Sequence, residues 1–143
     1  MDVVAEVDLP CSVDVAFGWV DDLARYPEWL DIVARAAALD GEDPAWAVDL
    51  RGRLGPLARS KRLRMVRTEL VPGERVVFER SELDGRQHSA WRLGAVISER
   101  PDGSHLRMTL HYGGSLFGPV LERVLRDEIE RSKDRLRSLV AAG

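Results

Sequence analysis

The sequence predicts an α+β domain in which a curved antiparallel sheet of about seven strands is closed by one long C-terminal helix. Three observations predict it. Residues 113–142 carry apolar side chains at helical spacing behind a pair of glycines, Gly113 and Gly114. The chain before them is an unbroken series of strand-like runs separated by turn residues, and near its start one alternating strand runs into a helical segment. A single helix lying across a sheet does not seal it, so the space between them can hold a small apolar molecule.

The elements follow in order. Val3, Ala5, Val7 and Leu9 alternate with Asp2, Glu6 and Asp8, the period of a half-buried strand. Pro10 ends it, Ser12 suits a helix N-cap, and Asp14 suits the first turn. Val13, Phe17, Val20 and Leu23 then recur at helical spacing, which predicts a helix of about three turns that stops near Arg25, because Pro27 disfavours helical geometry at Tyr26. A short second turn is expected from Pro27 to Leu30. Turn chemistry recurs at residues 40–44, Gly55-Pro56, residues 71–74, Asp84-Gly85 and residues 101–103. Strands are expected at 33–39, 45–53, 58–70, 75–83, 89–98 and 104–112, with Asp84-Gly85 as the strongest tight-hairpin signal.

Alternation assigns faces. Trp46, Val48 and Leu50 share one face, as do Trp91, Leu93, Ala95 and Ile97, and Leu106, Met108, Leu110 and Tyr112; each set is expected to face the helix, and Phe78 with them. The strand after Pro56 has an ambiguous register, since Leu63 and Met65 favour one face while Val66, Thr68 and Leu70 favour the other unless a bulge intervenes. On the final helix, Phe117, Val120, Leu121, Val124 and Leu125 form an apolar stripe that drifts towards Ile129, Leu136, Leu139 and Val140, as suits a rod crossing a twisted sheet. Ser115 reads as its N-cap.

A chain of 143 residues fits one domain, 1–143, with a core that needs no staple. Cys11 is the only cysteine, and the first residues have neither a basic segment nor a long apolar run, so a soluble, cytoplasmic setting is expected. A formal net charge of −3 argues against nucleic acid as partner, and no stretch reaches the ~20 apolar residues of a membrane span. One segment is basic: Arg51, Arg53, Arg59, Lys61, Arg62, Arg64 and Arg67 precede the next acid, Glu69. It reads either as the solvated face of two strands or as a docking patch for an anionic group or acidic carrier.

The order strand, helix, short helical turn, six-strand meander and long helix resembles the START-like (SRPBCC) superfamily, with its polyketide cyclase/dehydrase and lipid-transport family. Three stretches carry the likeness: residues 21–30, DDLARYPEWL; Leu54-Gly55-Pro56-Leu57 leading to residues 69–79, ELVPGERVVFE; and the glycine-opened last helix. The resemblance spans essentially the whole chain. It implies a helix-grip fold whose cavity binds hydrophobic ligands such as lipids, sterols or polyketides. No position-matched motif carries over a catalytic set.

Chemistry is sparse. His88, His105 and His111 have no metal-ligand spacing, one cysteine offers no zinc site, and no G-x-G-x-x-G occurs, so neither metal nor cofactor is expected. His105 and His111 fall on the solvent face of the last strand. His88 beside the Asp84-Gly85 turn, and Glu128 at the edge of the helical stripe, are candidates for an acid or base, each against a plain surface role. The expected ligand wall is Trp46, Val48, Leu50, Phe78, Trp91, Leu93, Met108, Leu110, Tyr112 and Val124. Trp19 and Trp29 are expected to pack the first helix and its following turn. Three functions stand open: binding of a small hydrophobic molecule, an aromatic polyketide cyclase or dehydratase assisted by His88 or Glu128, and an interaction module using the basic strands.

Overall fold

A computed structural model describes residues 1–51, 61–114 and 118–142. Strand β1 (Asp2–Leu9) buries Val3, Val7 and Leu9 and exposes Asp2, Glu6 and Asp8, as its alternation requires. Helix α1 (Val13–Gly18) starts at Ser12, whose hydroxyl accepts the Val15 N–H at 3.2 Å. It is shorter than the three turns expected. The chain leaves the helix at Trp19, and a separate 3₁₀ helix (Leu23–Glu28) begins where the Asp22 carboxylate accepts the Ala24 N–H at 2.9 Å. Two acids, Asp21 and Asp22, suit the start of a helix and oppose the negative end of one, so the dipole favours the break. The break is pinned from both sides: Arg25 donates to the Gly18 carbonyl at 3.1 Å and stacks 3.6 Å from the Trp19 ring centroid, while the Tyr26 hydroxyl donates to Val20 at 2.9 Å. Pro27 lies inside the 3₁₀ helix instead of opening a second turn.

The remaining strands are β2 (Val33–Leu39), β3 (Ala45–Leu50), β4 (Lys61–Val71), β5 (Arg75–Arg80), β6 (Trp91–Arg100) and β7 (Gly103–Tyr112). They form one antiparallel sheet in the order β1-β7-β6-β5-β4-β3-β2. The meander runs from β2 to β7, and α1 with the 3₁₀ helix carries the chain from one edge, β1, to the other. The expected Gly55-Pro56 turn and residues 52–60 in general, with Arg53 and Arg59, lie outside the described residues.

The ambiguous register of β4 resolves through a bulge. The pairing with β5 shifts between Arg67 and Glu69: Met65 stands opposite Arg80 before the shift and Leu70 opposite Val76 after it, which turns Leu70 to the same face as Leu63 and Met65. Leu63 and Met65 are buried, and Leu70, towards the end of the strand, is 40% exposed. Val76, Val77 and Phe78 of β5 are all buried, which removes alternation from that segment and leaves Phe78 inward. The tight Asp84-Gly85 hairpin does not form. β5 ends at Arg80 and β6 starts at Trp91, because Asp84 accepts the Arg86 N–H at 2.9 Å and binds His88, closing a side-chain turn in place of a two-residue one. The two-residue connection occurs instead at Pro101-Asp102, where Arg100 pairs with Gly103. Gly103 sits so close to the Leu9 carbonyl that no Cβ fits.

Helix α2 (Gly118–Ala142) buries Leu121, Leu125, Ser132, Leu136 and Val140, with Val124, Ile129 and Leu139 half-buried. This line turns slowly around the rod, as expected of a helix crossing a twisted sheet. Val120 is a correction: it is 54% exposed, because the buried line runs through Leu121, about 100° further round. Ser132 tolerates burial by donating to the Glu128 carbonyl at 2.8 Å. Ser115 and Phe117 lie outside the described residues. α2 approaches the sheet most closely along β1, and on its other flank Arg135 grips Asp31, at 2.5 and 3.1 Å, just ahead of β2.

Candidate functional site

Between α2 and the concave face of the sheet lies a hollow of about 80 Å³. Its wall takes Val3 and Ala5 from β1, Leu23, Trp29, Leu30 and Ile32 from the 3₁₀ helix and the segment after it, and Val33 from β2. Val48 and Leu50 of β3, Leu63 and Met65 of β4, and Trp91 and Leu93 of β6 form the floor, with Met108, Thr109 and Leu110 of β7. Leu125 and Ile129 of α2 complete the wall. Among the described residues no charged side chain borders it and no polar atom is exposed on its surface. Such a space stays dry, yet it is smaller than the ~150 Å³ apolar cavity that admits benzene. A second void of about 20 Å³ shares Ala5, Trp29, Met108 and Ile129, so rotamer changes at Met108 and Ile129 would merge the two.

Of the ten residues expected on the ligand wall, Val48, Leu50, Trp91, Leu93, Met108 and Leu110 border the hollow; Trp46, Phe78, Tyr112 and Val124 do not. The 3₁₀ helix explains the first two exceptions. It lowers Tyr26 onto the sheet, and Phe78 meets Tyr26 edge-on at 6.2 Å and Trp46 edge-on at 5.4 Å, while Tyr26 packs on Trp29 at 4.9 Å. Trp46 donates Nε1–H to Asp22 at 3.0 Å, and burial pushes the Tyr26 phenol well above its ordinary range. This aromatic brace is core. Tyr112 packs against Trp91 at 4.7 Å, and Val124 lies on the flank of α2.

Much of the wall escaped the sequence reading: Leu23, Trp29, Leu30 and Ile32 belong to a stretch read as packing, and Leu63 and Met65 to the strand of unassigned register. Trp91 has a further property. Its Nε1–H is the one buried side-chain nitrogen or oxygen without a hydrogen-bond partner among the described residues. Trp29 by contrast donates to the Trp19 carbonyl at 3.1 Å.

Neither acid–base candidate borders the hollow. His88 sits in the 81–90 connection with Nε2 2.8 Å from Asp84 and Nδ1 3.3 Å from Arg80. An arginine only donates, so Nδ1 is the acceptor and Nε2 carries the proton to Asp84, leaving no free lone pair. Glu128 is bonded to Arg131, one turn along its own helix.

The sequence pattern of the family described as polyketide cyclase / dehydrase and lipid transport matches residues 1–141. The chain belongs to that family. Solved structures with the same fold include a START superfamily protein from Mycobacterium smegmatis, with 16% identity, 99% of this chain and 97% of that one covered and a TM-score of 0.75. A protein of Thermus thermophilus has 18% identity, 99% and 98% coverage and a TM-score of 0.74. The di-domain ARO/CYC StfQ of the steffimycin biosynthetic pathway has 16% identity, with 99% of this chain and 50% of that one covered and a TM-score of 0.71. No protein with a curated description matches.

The outer surface of this polyketide cyclase/dehydrase family member is laced with ion pairs. His105 lies 2.6 Å from Asp8 and 3.1 Å from Glu6, which raise its pKa above the usual imidazole range, and His111 lies 2.6 Å from Asp2. Among the basic strand residues, Arg62 forks onto Asp49 at 2.7 and 3.2 Å, Arg64 donates to the Ser81 carbonyl, and Arg51 to the Asp31 carbonyl. Burial lowers the Lys61 pKa, and nearby Arg80 adds to it. Among the described residues no three His, Cys, Asp or Glu side chains come together to hold a metal ion, and no described helix is long and apolar enough to cross a membrane.

Proposed function

We propose that the protein binds a small, neutral, largely hydrophobic molecule in the hollow beneath α2. The observation that carries this reading is a space bordered from every layer of the fold by apolar side chains and, among the described residues, by no charge. Affinity would come from burial, at about 25 cal/mol per Å² of apolar surface. At about 80 Å³ the hollow must widen for a lipid, sterol or polyketide, and two features favour widening. Met65 and Met108 are soft wall residues, and α2 is close-packed mainly along one edge strand.

Family membership and the likeness to StfQ favour a second reading, cyclisation or dehydration of a polyketide-like chain. With His88 and Glu128 engaged elsewhere, catalysis would then rest on holding a flexible chain in a folded conformation within an apolar mould. An acidic partner at Arg51, Lys61, Arg62 and Arg64 has no comparable support, since the three arginines already have acceptors and burial disfavours the charged form of Lys61.

Native mass spectrometry of freshly purified protein, together with methyl NMR during addition of cumene, tests the binding reading. A copurified apolar species, or shifts at Val48, Leu50, Leu93, Leu110 and Leu125, supports it. No bound species and no shift at those methyls removes it. Turnover of a poly-β-ketone surrogate decides between carrier and cyclase.

A further inference from the structure

We infer that the Trp91 Nε1–H is the polar anchor of the hollow, so that the preferred occupant is an apolar molecule bearing one neutral carbonyl oxygen. The inference rests on the hollow being a ligand site and deepens that reading. Trp91 is 5% exposed, borders the hollow, and holds a buried donor with no acceptor among the described residues. A buried donor left unpaired is costly, and the other buried tryptophan donors are paired within the protein, Trp29 with a carbonyl and Trp46 with a carboxylate. The missing acceptor is therefore the feature that a ligand can supply.

The surrounding wall restricts what carries that acceptor. Among the described residues no polar atom is exposed on the hollow, so Nε1–H comes within reach only as an occupant larger than about 80 Å³ presses the wall outward. A carboxylate would bring an unpaired charge into an apolar space. A hydroxyl would satisfy Nε1–H but bury its own O–H donor without an acceptor. A ketone, aldehyde or ester carbonyl accepts and brings no donor, which matches an indole N–H that donates and cannot accept.

The test pairs two probes of nearly equal shape, acetophenone and cumene, with the wild-type chain and Trp91→Phe. Calorimetric titration should show acetophenone binding about tenfold weaker to Trp91→Phe, because its carbonyl is then left unpaired, with cumene changed by less than about twofold. The wild-type protein supplies an independent readout if the variant folds poorly. The indole ¹H resonance of Trp91 should move downfield with acetophenone and stay in place with cumene. Binding of both probes with the same response to Trp91→Phe, or a silent Trp91 indole resonance on acetophenone binding, overturns the anchor and leaves the apolar site standing. Failure of both probes to bind overturns the site itself and the anchor with it.

Discussion

The two ends of the concave face use the same residue type in opposite ways. At one end Trp46 meets Phe78, which meets Tyr26, which packs on Trp29, and Trp46 gives its N–H to Asp22. At the other, Trp91 leans on Tyr112, borders a void, and has no acceptor for its N–H among the described residues. Both are inward tryptophans on strands of one sheet. What separates them is the layer above: the 3₁₀ helix seats aromatic rings on the first, while α2 leaves space over the second. Satisfied polar tips and close packing mark the part of the face devoted to stability, and the proposed ligand site takes the part where a wall residue carries an orphan donor.

The largest effect expected from this contrast is on stability. Phe78 is fully buried at the centre of the aromatic brace, so Phe78→Ala should cost about 3 to 5 kcal/mol in denaturant unfolding. Trp91→Phe should cost less than half as much, because it deletes a donor that had no partner and borders space that is already empty. Equal losses from the two substitutions would mean that the ends do not differ in kind.

A smaller effect should follow at Asp22, which holds both the start of the 3₁₀ helix and the Trp46 indole. Asp22→Ala removes a cap and strands a buried donor, which together should cost about 2 to 3 kcal/mol. Asp22→Asn keeps an acceptor oxygen and should recover most of that. If Asn is as damaging as Ala, the carboxylate acts through its charge and the brace is held differently from the way described.

Asp22 also shows where sequence reading succeeds and where it stops. The succession of strands along the chain, the final helix and the inward faces of β3, β6 and β7 followed from alternation and turn chemistry, because local periodicity records which side of a strand is buried. Periodicity does not record what lies above that side. Trp46, Phe78 and Tyr112 face inward as expected and yet do not border the hollow, since whether an inward residue meets α2, the 3₁₀ helix or a void depends on curvature and on where a helix breaks. The break at Asp21-Asp22 was itself hidden by an apolar spacing, Val20 to Leu23, that suits one continuous helix. The β4 bulge is likewise settled by pairing with a separate strand, whereas the Asp84 turn is local, closed by Arg86 and His88 two and four residues on, and competes with the two-residue hairpin that Asp84-Gly85 suggests.

The smallest expected effect lies at the rim of the hollow and separates its restraints from those of the brace. Arg135 of α2 binds Asp31, which stands between the wall residues Leu30 and Ile32, and both side chains are about two-fifths exposed. The Arg135 hydrogen bond, with its charge, lowers the Asp31 pKa below the ordinary carboxylate value. Because the folded pKa is the lower one, the pair's contribution is present above the unfolded value of 3.8 and is lost as pH falls through the folded value. Exposure limits it to under about 1 kcal/mol. In Arg135→Ala the Asp31 carboxyl titration, followed by NMR, should move up towards 3.8, while Asp49, held low by Arg62, stays where it is. The variant should lose little stability at neutral pH and none relative to wild type at a pH below the folded pKa of Asp31, and cumene should reach the hollow at least as readily. A loss as large as that of Phe78→Ala would show that α2 is locked down as firmly as the aromatic brace, and a hollow under a locked helix could widen only through its methionines, Met65 and Met108.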